Sequence, residues 1–123
     1  MRFEEFEEIV KTRREVEELG CEIENDIIRG VDVRVIAHFG NIACFVVRCD
    51  NVTPMSSYNN TKNLGYVIQA FIKLFDLSKE DGVDLSEIKD VPCRLVYYKG
   101  RCIGVGHFMK DRFMFTEDLA MCD

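Results

Sequence analysis

The sequence predicts an α+β fold: an N-terminal helix, an antiparallel sheet of about five to six strands, and a central amphipathic helix on which that sheet packs. Three observations predict it. Apolar residues recur at helical spacing over residues 1–19 and again, more densely, over 64–77. Between these stretches, and again after Pro92, the hydrophobic period shortens to two, the pattern of a strand with one covered face. The pairs Gly40-Asn41, Lys99-Gly100 and Lys110-Asp111 punctuate those stretches as turns, giving a hairpin and then a three-strand meander. With 123 residues, 47% of them hydrophobic, the chain suffices for one buried core and is read as a single domain, 1–123.

In the first helix, residues 1–19, Phe3, Phe6, Val10, Val16 and Leu19 form the apolar stripe, broken at Arg13. Gly20 supplies its stop. Strands fill residues 21–49. Cys21, Ile23 and Ile27 oppose Glu22, Glu24 and Asp26 in a short first strand, and Val31, Val33, Val35, Ala37 and Phe39 alternate through a second. Residues Ile42 to Cys49 are apolar on both faces, which predicts a central strand. Residues 50–62 are polar, with Pro54 and no period, and read as a loop whose Tyr58, Asn59, Asn60 and Lys62 could rim a ligand. The second helix, 63–77, buries Leu64, Val67, Ile68, Phe71, Ile72, Leu74 and Phe75. Leu85 and Ile88 mark a single helical turn capped by Asp84 or Ser86. The meander occupies 92–116, with a short tail beyond it.

Two-residue turns would fix the meander's register. Tyr97 would face Cys102, Leu95 would face Gly104 and Cys93 would face Gly106, while Phe108 would face Phe113. One face then holds Cys93, Leu95, Tyr97, Phe113 and Phe115, and the second helix approaches it over Gly104 and Gly106. The other face carries Arg94, Val96, His107 and Arg112, a mixed surface suited to contact.

Charge is concentrated at one end. Residues 1–30 hold ten acidic and five basic side chains, whereas the rest of the chain holds twelve and eleven. The first segment is therefore either a solvated amphipathic helix lying on the domain or an acidic arm offered to a basic partner. In the second reading Glu4, Glu7, Glu8, Glu15, Glu18 and Glu22 bind the partner. A net charge of −6 argues against direct general nucleic-acid binding, which depends on neutralising phosphates. No apolar run approaches the roughly 18 residues of a membrane span, and the acidic N-terminus is unlike a signal peptide. A cytoplasmic protein with no membrane partner is expected.

Six cysteines, Cys21, Cys44, Cys49, Cys93, Cys102 and Cys122, include no C-x-x-C pair, and neither His38 nor His107 completes a zinc pattern. Buried reduced thiols are expected, with no metal and no cofactor. Gly104-x-Gly106-His107 is not a dinucleotide fingerprint, since no helix follows it, and no phosphate-loop or nucleophile-elbow motif occurs. His107, Asp111 and a cysteine could serve as base, orienter and nucleophile, but nothing in their spacing brings them together, and no enzyme is expected. Arg94, His107, Lys110, Asp111 and Arg112 are the candidate ligand or partner surface. His107 is otherwise a structural strand residue, and Lys110 with Asp111 otherwise turn residues. Exposed strand edges in the meander also invite a homodimer.

Three segments recur together: Leu64-Gly65-Tyr66-Val67-Ile68, the run from Asp84 to Arg94, and Val105-Gly106-His107-Phe108-Met109-Lys110-Asp111-Arg112-Phe113. In this order they resemble a widespread set of small phage and prophage proteins, mostly without assigned function. The resemblance covers about half of the chain, and Gly-His-x-x-Lys-Asp is its most specific part. Phe113 stands where that set frequently has Trp, and Asp90 where it frequently has Gly. No catalytic residue comes with the resemblance. It implies a non-enzymatic binding protein, a counter-defence inhibitor of anti-CRISPR type that engages a basic surface of a host nucleic-acid-binding effector. The alternatives are a module that sequesters a nucleotide or other small ligand, and a phage replication or recombination accessory protein.

Overall fold

A computed structural model describes residues 10–36, 42–54 and 61–116. The elements are β1 (Val10–Lys11), α1 (Arg13–Glu18), β2 (Glu22–Ile36), β3 (Ile42–Cys49), α2 (Thr61–Leu74), β4 (Ser78–Lys79), β5 (Gly82–Val83), a 3-10 turn (Leu85–Ile88), β6 (Val91–Tyr98), β7 (Arg101–His107) and β8 (Phe113–Phe115). The architecture is α+β. Six strands form one antiparallel sheet in the order β1-β8-β7-β6-β2-β3, and β4-β5 is a separate two-stranded ribbon. No helix among the described residues is long and apolar enough to cross a membrane.

Two layers of side chains cover the sheet. On one face Val67, Ala70, Phe71 and Leu74 of α2 pack with Phe45, Val47, Cys93, Leu95, Val105 and Met114 of the strands. Phe71 meets Phe45 edge-on at 5.1 Å and Phe75 at 4.9 Å, so aromatic contact extends to the end of the helix. On the other face Val16 of α1 closes over Cys21, Val96, Ile103, Phe113 and Phe115. Cys21, Cys44 and Cys93 are buried and Cys49 and Cys102 half-buried, and none of these five described cysteines is in a disulfide. Cys122 lies outside the described residues. The hydrogen bond with Cys49, and after it burial, push the Cys93 thiol up, which keeps it protonated.

Several sequence expectations are corrected. The apolar stripe expected to make one helix over 1–19 divides: Val10 and Lys11 pair with Met114 and Phe113 as a strand, and the helix runs only from Arg13 to Glu18. Thr12 starts it with a reciprocal capping box to Glu15, and Gly20, at φ 85°, follows its end. Residues 1–9, with Glu4, Glu7 and Glu8, lie outside the described residues. The two strands expected between residues 21 and 39 are one strand, β2, bent by a bulge at Arg29 between the pairs Ile28↔Cys49 and Gly30↔Arg48. Its first half pairs with β6 and its second with β3. The extra residue reverses which parity faces α2: before it Glu22, Glu24, Asp26 and Ile28 share the face of Leu95 and Cys93, and after it Val31 and Val33 share the face of Val47 and Phe45.

The strand β3 lies at the edge of the sheet, not at its centre. Cys44 to Val47 are all buried, and the outward N–H groups of Val47 and Cys49 donate to the carbonyls of Pro54 and Val52. Burial on both faces thus did not require two neighbouring strands. The Gly40-Asn41 turn, the loop residues Tyr58 to Asn60 and the tail beyond Thr116 lie outside the described residues, and α2 begins at Thr61.

The meander's register differs too. Lys99 and Gly100, at φ 51° and 81°, make the expected two-residue turn, and Tyr97 does face Cys102. Ile103 is then an extra residue in β7, so Val96 faces Gly104 and Arg94 faces Gly106. That single slip carries Gly104, Gly106, Phe113 and Phe115 to the face of Arg94 and Val96, away from α2 where they were expected, and brings His107 to the α2 face. Side chains of β6 and β8 therefore meet over the two glycines of β7: Val96 joins Phe115 across Gly104, and the Arg94 guanidinium lies 5.8 Å from the Phe113 ring across Gly106. A Cβ on Gly106 would collide with that ring.

Candidate functional site

The segment Gly106 to Arg112 gathers most of the residues singled out by sequence. β7 ends at His107, β8 begins at Phe113, and His107 N–H donates to the Arg112 carbonyl at 2.9 Å. Residues 108–111 form the loop, where the sequence predicted a turn of Lys110 and Asp111 alone. The reason is the histidine. Its Nδ1 accepts the N–H groups of both Met109 and Lys110, each at 3.0 Å, which holds the wider loop closed. An imidazole in that role keeps its proton on Nε2.

His107 pairs with Cys93 and so sits on the α2 face, where its ring stacks on Phe75 at 5.7 Å. Burial, reinforced by Arg112 and Lys110, holds its pKa below the usual 6.5. The residues around it reach in three directions. Lys110 and Arg112 bind the Asp76 carboxylate at 2.5 and 3.0 Å, just past the end of α2. Asp76 is at φ 54°, a left-handed conformation that ends the helix, and Lys110 holds its carboxyl below the usual range, with Arg112 adding to the effect. Asp111 Oδ1 accepts the N–H of Arg13, the first residue of α1, at 2.5 Å. Arg94 donates from Nε and Nη2 to the Phe108 carbonyl at 2.9 and 2.5 Å.

Arg94, His107, Lys110, Asp111 and Arg112 are thus brought together, but not as one ligand-facing surface. His107 faces α2, Arg94 faces the opposite side, and Lys110, Asp111 and Arg112 join the loop to both helices. The apolar side chains the loop presents to solvent are Phe108, 44% exposed, and Met109, 80% exposed. Among the acidic residues, Glu15 closes the Thr12 cap, Glu18 pairs with Arg14 at 3.0 Å, and Glu22 is exposed on β2. Glu24, two residues on and also exposed, extends that row and had not been selected from the sequence.

Sequence reasoning missed a second polar centre. Buried Asp26 accepts the N–H groups of Ile27, Asp50 and Asn51 at 2.7, 3.1 and 3.2 Å, fixing the chain as it leaves β3. Beside it Arg29, the bulge residue, binds Asp50 through two nitrogens at 2.5 and 2.9 Å and Asp90 at 2.8 Å. Asp90 sits at φ 65°, a conformation glycine adopts without strain, and here the ion pair with Arg29 accompanies the side chain. The signal was available only as isolated charges in the sequence. Among the described residues no group of His, Cys, Asp and Glu is placed to hold a metal ion. No protein-family model, curated protein or solved structure matches this chain.

Proposed function

We propose that this chain is a non-enzymatic binding protein of phage or prophage type that acts in the host cytoplasm. It engages a basic surface of a host nucleic-acid-binding effector through carboxylates of its N-terminal quarter, as a counter-defence inhibitor would. The observation that carries this reading is the concentration of acidic residues in 1–30, ten against five basic, with Glu22 and Glu24 exposed along β2 on the face opposite α1. Carboxylates so grouped steer a cationic surface into place and add complementarity once it docks. Supporting it, the residues most suggestive of chemistry are engaged in structure: His107 closes a loop, Lys110 binds Asp76 and Asp111 caps α1.

The test is capture of partners from host lysate with the tagged chain, followed by titration of the captured protein. Reversing Glu18, Glu22 and Glu24 to Lys leaves the Thr12 cap intact and is expected to weaken binding at least tenfold at low salt. Added salt should weaken the original complex in the same direction. Binding that survives the triple reversal, or a captured partner without a basic surface, overturns the proposal.

A further inference from the structure

We propose that the cleft between the start of α1 and strands β2 and β6 binds a nucleoside monophosphate. This inference is independent of the acidic surface proposed above. The cleft has a volume of about 390 Å³ and is lined by Arg13, Ile23, Asn25, Arg94 and Phe108. That volume is at the lower end for ligand sites and suits a mononucleotide rather than a larger cofactor.

Each lining residue has a matching part of such a ligand. Arg13 and Arg94 bring two guanidinium groups and no lining carboxylate opposes them, in a chain whose net charge is −6. Guanidinium forks fit phosphate oxygens. Arg94 is held in position: Nε and Nη2 donate to the Phe108 carbonyl and its plane lies over Phe113, while Nη1 has no hydrogen bond among the described residues. Arg13 pairs with Glu17 at 2.8 Å, an exposed contact that a phosphate can displace. The Asp111 carboxylate at the start of α1 is engaged by the Arg13 N–H.

Asn25 lies directly across from Arg94 on β2, and its exposed amide offers both a donor and an acceptor to a base edge. Ile23, on the same face of β2, and Phe108, 44% exposed, complete a lining that is mostly polar, so a base would be held there chiefly by its edge. Two other clefts among the described residues lack this character. In one, Arg29 is neutralised by Asp50 and Asp90 and Arg48 by Asp32, and in the other Asp76 holds Arg112.

Backbone amide spectra of the full chain, titrated with each of the four common nucleoside monophosphates up to about 1 mM, test the assignment. The expected result is saturable shifts at residues 13, 23, 25, 94 and 108 with at least one of them. Inorganic phosphate and the free nucleoside should each give weaker shifts at the same concentration. Asn25→Asp, which puts a carboxylate in the cleft, should weaken binding at least tenfold while the amides of α2 keep their positions. Arg13→Ser, at an exposed helix start, serves as the second variant and should weaken binding several-fold. No saturable shift with any nucleotide, shifts that phosphate alone reproduces, or unchanged affinity in both variants would overturn the proposal.

Discussion

At the scale of single residues, His107 shows how a suggestive motif becomes structural. Two backbone N–H groups converge on Nδ1, so a proton there would remove the acceptor and leave both donors unpaired. The folded pKa lies below the unfolded value, so the unfolded chain binds the extra proton first. The stability His107 contributes is complete above pH 6.5 and declines as pH falls from there through the folded value. Melting temperature followed from about pH 8 to about pH 5 should therefore fall. In His107→Phe, which keeps a ring against Phe75 without the acceptor, that fall should flatten, and stability at the upper end should drop by about 1–3 kcal/mol. Asp76 acts in a separate window, its pairing being lost only as pH falls through and below the usual carboxylate value of 3.8. The sequence made His107 conspicuous, but its partners are backbone groups, which no residue pattern spells out.

At the scale of elements, the decisive feature is a strand with two side chains missing. Gly104 and Gly106 let β6 and β8 touch across β7, and the aromatic rings of Phe113 and Phe115 occupy the vacated row. Gly106→Ala should destabilise the fold by about 1–3 kcal/mol, because the new methyl meets the Phe113 ring and β7 is enclosed on both sides. Gly65→Ala should have the opposite sign. That glycine lies inside α2 with nothing near its missing Cβ, so alanine should add about 0.5–1 kcal/mol. Urea unfolding of the two variants against the original chain checks both signs. The alternation of apolar residues was enough to place β6, β7 and β8 as strands. It could not place the bulge at Ile103, because an extra residue leaves the local pattern nearly unchanged while reversing everything paired beyond it.

At the scale of the whole molecule, the two helices are held by one loop. Lys110 and Arg112 tie the sheet to the end of α2, and Asp111 ties it to the start of α1. Only Val16 of α1 is buried, so that helix depends on its caps more than α2 depends on its own. Asp111→Ala should release α1 at a cost of about 0.5–2 kcal/mol. Amide exchange should then quicken at Val16 and Leu19, whose N–H groups bond within α1, while α2 keeps its protection. Equal acceleration in both helices would show that the loop supports the fold as a single unit instead.

By itself the sequence determined the composition of the core, the α+β class, the long amphipathic helix, most strand segments and the Lys99-Gly100 turn. These follow from local periodicity and from the few residues that accept positive φ. Only the tertiary structure decided that Val10 joins the sheet, that β2 spans two partners around Arg29, that β3 lies at an edge, and that Arg94 shares a cleft with Arg13 and Asn25. Those outcomes depend on bulges, on long-range strand pairing and on backbone acceptors. Such interactions join residues far apart in the chain, and a hydrophobic period measured over one segment does not contain them.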